Sequence, residues 1–400
     1  MRAWTARTTG AVAASVLVTV AVGPLGSAGA AAPVTAGVAR PAEPDVTAVP
    51  SNLIIPLQRT ALVNGKVKGV TSARPVQLQF SWGRQWIPQG DAMTDVSGGY
   101  SLRIPSGKLG TFTYRVAAPA TATVPAVASV PFSVSVGEGN PRSYKLFAPA
   151  GRWNGCQVIG YRVNLTGAPK GALDDVKIAI ANVARASGLR YAYRGTTTVI
   201  PGATRAFLSP YPKDTQLVIA WAKPGTTKHL PKASNYVGYG GWLSVARPAR
   251  LGSTTYYPIT QAFVVVDSTR RMPLGFGMGD PEGLQGTWGQ LVMHELGHTV
   301  GLTHVSDKSQ LMYPYLQHRA SAWGLGDLGG LYNLGGRFGC FPVASSPKAS
   351  VSKKYAGLLA PVAGPAAPLA AWMMASQVPD SGGPDAGALS GPHQVSGGDH

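Results

Sequence analysis

Cysteine is nearly absent from this 400-residue chain, with two in all, and histidine is scarce, with seven. Two cysteines exclude a disulfide-dense scaffold and a four-cysteine zinc site. Charged residues make up only 13%, and acidic side chains are few: 17, against 35 lysines and arginines. The two most apolar stretches both fall short of a membrane span. Residues 11–22 are too few for the roughly 20 that a spanning helix needs. Residues 356–375 contain Pro361, Pro365 and Pro368, which break a helix. Glycine and proline, by contrast, are plentiful at 51 and 33, which excludes a long coiled coil or an all-helical bundle. With 44% hydrophobic residues the chain is too apolar to be disordered throughout, and its length suits two folded units with tails.

Residues 1–30 read as an export signal. Arg2 and Arg7 charge the start, the apolar run follows, and Ala28-Gly29-Ala30 offers a small-residue cleavage site. The reading implies a secreted protein. It suits the cysteines too, because Cys156 and Cys340 are the only pair available and can stay oxidised outside the cell. Residues 342–400, dominated by Ala, Pro, Gly and Ser, read as a flexible, disordered tail.

The net charge of +18 is concentrated in the folded part: 11 basic against 5 acidic residues in 31–150, and 19 against 9 in 151–340. No lysine–arginine run exceeds a pair, which argues against nucleic acid as a partner. A diffuse excess fits weak attraction to anionic extracellular polymers, and equally a merely solubilising surface.

Over 51–137 the pattern has period two. Val76, Leu78, Phe80 and Trp82 alternate with polar residues, as do Tyr100, Leu102 and Ile104, then Phe112, Tyr114 and Val116, then Val130, Phe132, Val134 and Val136. With glycine turns between the runs, this predicts a small antiparallel β-sandwich. It resembles the immunoglobulin-like modules of secreted bacterial proteins, a generic likeness that implies a spacer or adhesion role and no chemistry.

After Gly151 the pattern changes to that of an α+β domain over 153–340. Strands are predicted at 158–164, 189–194, 216–221 and 261–267, and the glycine-rich 236–242 reads as an edge strand. A helix is predicted over 170–187 from Leu173, Val176, Ile180, Val183 and Ala184, with Gly188 just beyond its end, and a second over 288–300.

The second helix carries His294-Glu295-Leu296-Gly297-His298, followed by Thr299-Val300-Gly301-Leu302-Thr303-His304. Histidines at i and i+4 share a helical face and can present two imidazole nitrogens to one metal, while Glu295 stands about 100° round the helix. Gly301 lets the backbone leave the helix, so that His304 can return as a third ligand. Three neutral nitrogens leave one position of a tetrahedral zinc open, the mark of a catalytic site. Seven histidines and four glutamates would produce the five-residue core by chance in roughly one chain per thousand. The glycine and third histidine make it rarer still.

The run HELGHTVGLTH resembles the HExxHxxGxxH signature of the metzincin metallopeptidases. Leu311-Met312-Tyr313-Pro314 looks like their Met-turn at the short spacing of matrixins, and Trp323 to Gly335 resembles their last helix. The resemblance implies zinc at His294, His298 and His304, Glu295 as general base and Met312 as an apolar floor under the metal. It also implies that a peptide substrate pairs with a strand near 236–242, and that Tyr313 to Ala322 shape the pocket beyond the scissile bond. Departures from the family matter as well. Only His229 lies upstream where matrixins gather histidines for a structural zinc, so a single zinc is expected. Cys156 lacks the propeptide switch motif, which argues against cysteine-switch latency. Pro314 stands where some metzincins carry a tyrosine ligand. The paired aspartates of the last helix reduce to Gly326-Asp327, leaving Asp327 to brace the Met-turn. Calcium has no more than Asp280-Pro281-Glu282 to suggest it.

The expected function is that of a secreted zinc endopeptidase. The competing reading is a non-catalytic extracellular binding or adhesion protein that uses the sandwich, with an inactive zinc domain; Glu295 speaks against it, since binding alone has no need of that carboxylate. A cell-wall amidase would share the zinc but not this ligand spacing.

Overall fold

The computed structural model describes residues 45–341, less 233–234, 245, 247, 252, 283–285 and 337–338, together with the strand 371–377. The expected export signal at 1–30 lies outside the described residues, as does the tail from 342 onwards apart from that strand.

The first part is built of strands and turns: β1 (Val46–Pro50), β2 (Ile54–Pro56), β3 (Ala61–Val67), β4 (Pro75–Trp82), β5 (Gln85–Met93), β6 (Gly99–Ile104), β7 (Gly110–Ala118), β8 (Val127–Ala128) and β9 (Phe132–Gly137). One sheet has the order β1-β3-β6. The other runs β2-β9-β7-β4-β5 with β8 beside β7, and is antiparallel except where β2 meets β9. The two sheets share one core. Val76, Leu78, Tyr114, Val116, Val134 and Val136 of the larger sheet are buried in it with Val46, Val63, Val67, Tyr100, Leu102 and Ile104 of the smaller. The alternating pattern overreaches at its ends, where Trp82 is 69% and Val130 71% exposed. Alternation reports a pleated strand, not how far the facing sheet extends to cover it.

The second part begins with two short strands, β10 (Lys145–Leu146) and β11 (Ala150–Arg152). It continues through β12 (Val158–Asn164), α1 (Ala172–Ser187), β13 (Arg190–Thr196), β14 (Leu217–Ala222), β15 (Tyr236–Leu243), β16 (Ala249–Leu251), β17 (Thr254–Pro258), β18 (Gln261–Asp267), α2 (Trp288–Val300), β19 (Leu302–Thr303) and α3 (Leu325–Leu334). The last strand is β20 (Ala371–Gln377). The main sheet has the order β13-β12-β14-β18-β15-β20. Its first four strands are parallel, and α1 makes the crossover that parallel neighbours β12 and β13 require. That helix stops at Gly188, which adopts φ +72° and returns its N–H to Ala184 O.

All seven residues of β18 are buried. Ala262, Val264 and Val266 face the cluster that includes Val176, Ile180 and Val183 of α1 and Leu291, Val292 and Leu296 of α2. Phe263 and Val265 belong to a second cluster with Leu230 and Leu243. Burial on both faces is why this strand reads as an unbroken apolar run.

The strand expected at the sheet edge needs correcting. β15 pairs with β18 on one side and with β20 on the other, both antiparallel, so β20 is the outer strand. The partner comes from the segment expected to be a flexible tail. Its ten residues between Pro368 and Pro379 contain no proline, so every backbone N–H is available for pairing.

The two parts belong to one compact unit starting at Pro44. Leu325 N–H donates to Glu138 O (2.8 Å), and Arg319 pairs with Glu138 at 2.7 Å. A Cβ on Gly137 would lie 2.9 Å from Leu328 Cδ1, so the end of β9 abuts α3. Strand β10 then pairs with β19, beside the motif's third histidine.

Cys156 and Cys340 form a disulfide across 184 residues of sequence, tying the start of β12 to the chain beyond α3. Arg152 donates to Gly339 O (2.9 Å) next to it. Replacing both cysteines by serine is expected to lower stability by about 2–5 kcal/mol, because the closed loop no longer restricts the unfolded chain. Denaturant midpoints of the two proteins measure this; coincident midpoints would rule out a stabilising role.

Candidate metal centre

Helix α2 starts at Thr287, whose hydroxyl accepts the N–H of Gln290 (3.1 Å). All thirteen of its residues are buried, which takes His294, Glu295 and His298 into the interior with the apolar ones. It ends at Gly301, where φ is +120° and a Cβ would lie 2.8 Å from Gly151 O. Both facts favour glycine there. The chain then turns through β19 and delivers the half-buried His304 to the face that carries the other two histidines.

Three ring nitrogens converge. His304 Nε2 lies 3.1 Å from His294 Nε2 and 3.2 Å from His298 Nε2. The other nitrogens are already committed: His294 Nδ1 donates to Leu311 O (2.6 Å) and His298 Nδ1 to Leu302 O (2.8 Å). A carbonyl only accepts, so these bonds place the protons on Nδ1 and leave lone pairs on both inward Nε2 atoms. His304 can donate to one of them at most. At least one inward acceptor therefore remains uncompensated, and a shared cation satisfies all three nitrogens at once. Burial keeps the rings neutral, taking His294 down to about 4 and His304 to about 3, with the His294 ring adding to the effect at His304. Burial and both neighbouring rings hold His298 well below its ordinary range. Neutral, oriented imidazoles suit a zinc ion, so the donor set fits that metal.

Glu295 is fully buried beside this group, against β15. A Cβ on Gly238 would lie 2.5 Å from Glu295 Oε1, and one on Gly240 would lie 2.3 Å from Glu295 O and 2.9 Å from Oε2. Only bare backbone lets the strand pass so close to the carboxylate. Met312, also buried, comes under the helix at Gly297, where a Cβ would stand 2.4 Å from its sulfur. The glycine inside the motif thus makes room for Met312 between the two helical histidines.

A brace runs beneath. The fully buried Asp327 accepts the N–H of Leu311 and of Gly324 (3.1 Å), while Leu311 O holds His294. Burial pushes Asp327 up to about 7, against the downward pull of backbone donors at Leu311, Gly324 and Met312. A pocket opens beside His294, lined in part by Gln290, Leu311, Tyr315, Leu316 and Arg319. Four of these five lie between Leu311 and Arg319, in the segment that follows the third histidine.

The remaining candidates lie apart. His229 is a core residue, with its ring stacked on Phe263 (4.0 Å between centroids) and on Tyr239 (5.4 Å), and burial takes it to about 3. Asp280 and Glu282 are exposed, and Asp280 accepts the N–H of Glu282 (3.0 Å) in a local turn. Among the described residues, His294, His298 and His304 are the one group of three or more histidine, cysteine or acidic side chains whose donor atoms converge. Sequence reading passed over Gly238, Gly240 and Gly297 as site residues, although the glycine-rich 236–242 carried a signal. It also passed over Phe147, whose ring stands 6.1 Å from that of His298. The carbonyls of Leu302 and Leu311 have no sequence signal, since every residue carries one.

Against known families, the model of the matrixin family of peptidases matches residues 251–327, which span α2, the third histidine and Met312. Together with the three converging histidines, the match fits a metzincin metallopeptidase. No curated protein matches the chain.

Proposed function

We propose that the protein is a secreted zinc endopeptidase with one zinc ion per chain, held by His294, His298 and His304. The observation that carries this reading is the convergence of three neutral Nε2 atoms, two of them oriented by backbone carbonyls, beside a buried glutamate. When bound, zinc supplies Lewis acidity, acidifying water and polarising a peptide carbonyl.

The chain's own groups supply the rest. Glu295 takes the proton of the attacking water and hands it to the leaving amine, a role that needs a carboxylate held in place. Contact with Gly238 and Gly240 holds it. Met312 fills the space under the helix and keeps water from that side. Leu311, Tyr315 and Leu316, which line a small cavity beside His294, would form part of the wall that meets the substrate beyond the scissile bond. The disulfide and the reading of residues 1–30 as an export signal both support secretion. The β-sandwich, read as an immunoglobulin-like module, serves as a scaffold for the Met-turn side of the site, since Glu138 bonds both Arg319 and Leu325.

Casein hydrolysis by the purified protein, followed through chelation and readdition of metal, tests the proposal. Activity is expected to vanish on chelation and to return in full with one equivalent of zinc. Hydrolysis that survives removal of all metal would rule the reading out, and two tightly held zinc ions per chain would refute the single site.

A further inference from the structure

The strand that lies against Glu295 is not open to an incoming peptide. β15 brings Gly238 and Gly240 against the glutamate, and its free side is paired antiparallel with β20. The register sets Ser376 opposite Gly238, Ala375 opposite Tyr239, Met374 opposite Gly240 and Met373 opposite Gly241, and β20 also runs alongside α2. The stretch Met374–Ser376 of the chain's own C-terminal region therefore lies opposite the part of β15 nearest the catalytic glutamate. An extended peptide recognised by strand addition needs that same row of backbone donors and acceptors.

We infer that Ala371–Gln377 is an intramolecular strand ligand that holds the place of a peptide substrate on β15 and keeps the full-length chain latent. The inference rests on the peptidase reading of the site. Thirty residues separate Cys340 from Ala371, so the segment is tethered to the body it covers. A tethered ligand of this kind is present at an effective concentration of about 1 mM. A strand whose free peptide binds with a Kd of about 0.1 mM would then outnumber the open state by about ten to one. Latency of this sort needs no cysteine and no N-terminal prosegment. It is relieved by anything that removes the last part of the chain or pulls it off the edge.

The test keeps the whole chain and breaks only the added strand. In Met373→Pro/Met374→Pro the two adjacent N–H groups are gone, and in a strand one of each such pair points at the partner. With zinc bound, this variant is expected to cleave casein about tenfold faster than the wild-type chain. A synthetic peptide covering residues 369–378, added in trans at millimolar concentration, should return the rate towards the wild-type value. Hydrogen exchange supplies a readout that does not depend on catalysis. In a Glu295→Gln background, where the strand cannot be cut, the β15 amides that point away from β18 should be protected in the full chain and lose protection in the proline variant. Unchanged exchange in those amides would overturn the proposal, as would equal cleavage rates in chains that do cleave casein. If neither chain cleaves casein while the exchange difference is present, the strand's placement stands and the peptidase reading fails.

Discussion

Glu295→Gln is expected to lower peptide hydrolysis by at least about 100-fold, within the 10²- to 10⁴-fold range of positioned general-base catalysis. The substitution keeps size and shape, which matters here. The carboxylate stands where a Cβ on Gly238 would come within 2.5 Å of it, so a larger replacement would displace β15 and confuse two effects. Glutamine can still hold water by a hydrogen bond but cannot take its proton. The zinc content of the variant, by elemental analysis, should equal that of the wild type, because no ligand is touched. Its thermal midpoint should move by no more than a few degrees. Near-wild-type hydrolysis by Glu295→Gln would leave the proposed mechanism without its base, whatever the metal content.

His298→Ala is expected to act the other way round, on the metal first. His298 is fully buried, and its ring has two duties: Nδ1 satisfies Leu302 O, and Nε2 faces the shared centre. Losing an outer-shell partner typically costs 10- to 100-fold in metal affinity, so losing a ligand outright should exceed about 100-fold. Leu302 lies in β19, whose pairing with β10 leads to His304, so the unpaired carbonyl and the absent metal both loosen the third ligand's loop. Zinc stabilises a fold that binds it and not the unfolded chain. Addition of zinc should therefore raise the thermal midpoint of the wild type and leave that of His298→Ala nearly unchanged. A variant that bound zinc with wild-type affinity would show that the three rings do not share one ion.

These two residues were legible in the sequence because the helix that carries them is local. Thr287 starts it, Gly301 ends it, and the 3.6-residue repeat sets His294 and His298 on one face without reference to the rest of the chain. Strand β18 was legible for a related reason, as an apolar run bounded by turn residues. The features that escaped depend on partners distant in sequence. β5, with Pro88 in its middle and a mostly exposed pattern, gives no period-two signal; it is a strand because β4 pairs with it. β20 lies among alanines and prolines, and its conformation comes from β15, more than a hundred residues earlier. Residues 138–152 carry no motif, yet they supply β10, place Phe147 against His298 and bring Glu138 to Arg319. Periodicity describes what a segment does by itself, and these segments act through what they touch.

The docking of β9 against α3 has a consequence in time. Gly137 meets Leu328, a residue that leaves the ribosome 191 positions later. For a chain exported as it is made, at about 5–20 residues per second, the sandwich waits outside for roughly 10–40 s for the helix that covers that end. It must hold its own core through that interval, which the fifteen buried side chains shared by its two sheets allow. The histidines emerge near the end of the wait, Cys340 shortly after, and Ala371–Gln377 last of the described elements. Synthesis thus delivers the frame first, then the metal ligands, and then the strand that covers the cleft. The interval in which the site is assembled and uncovered is only the few seconds needed to add the last 37 residues up to Gln377.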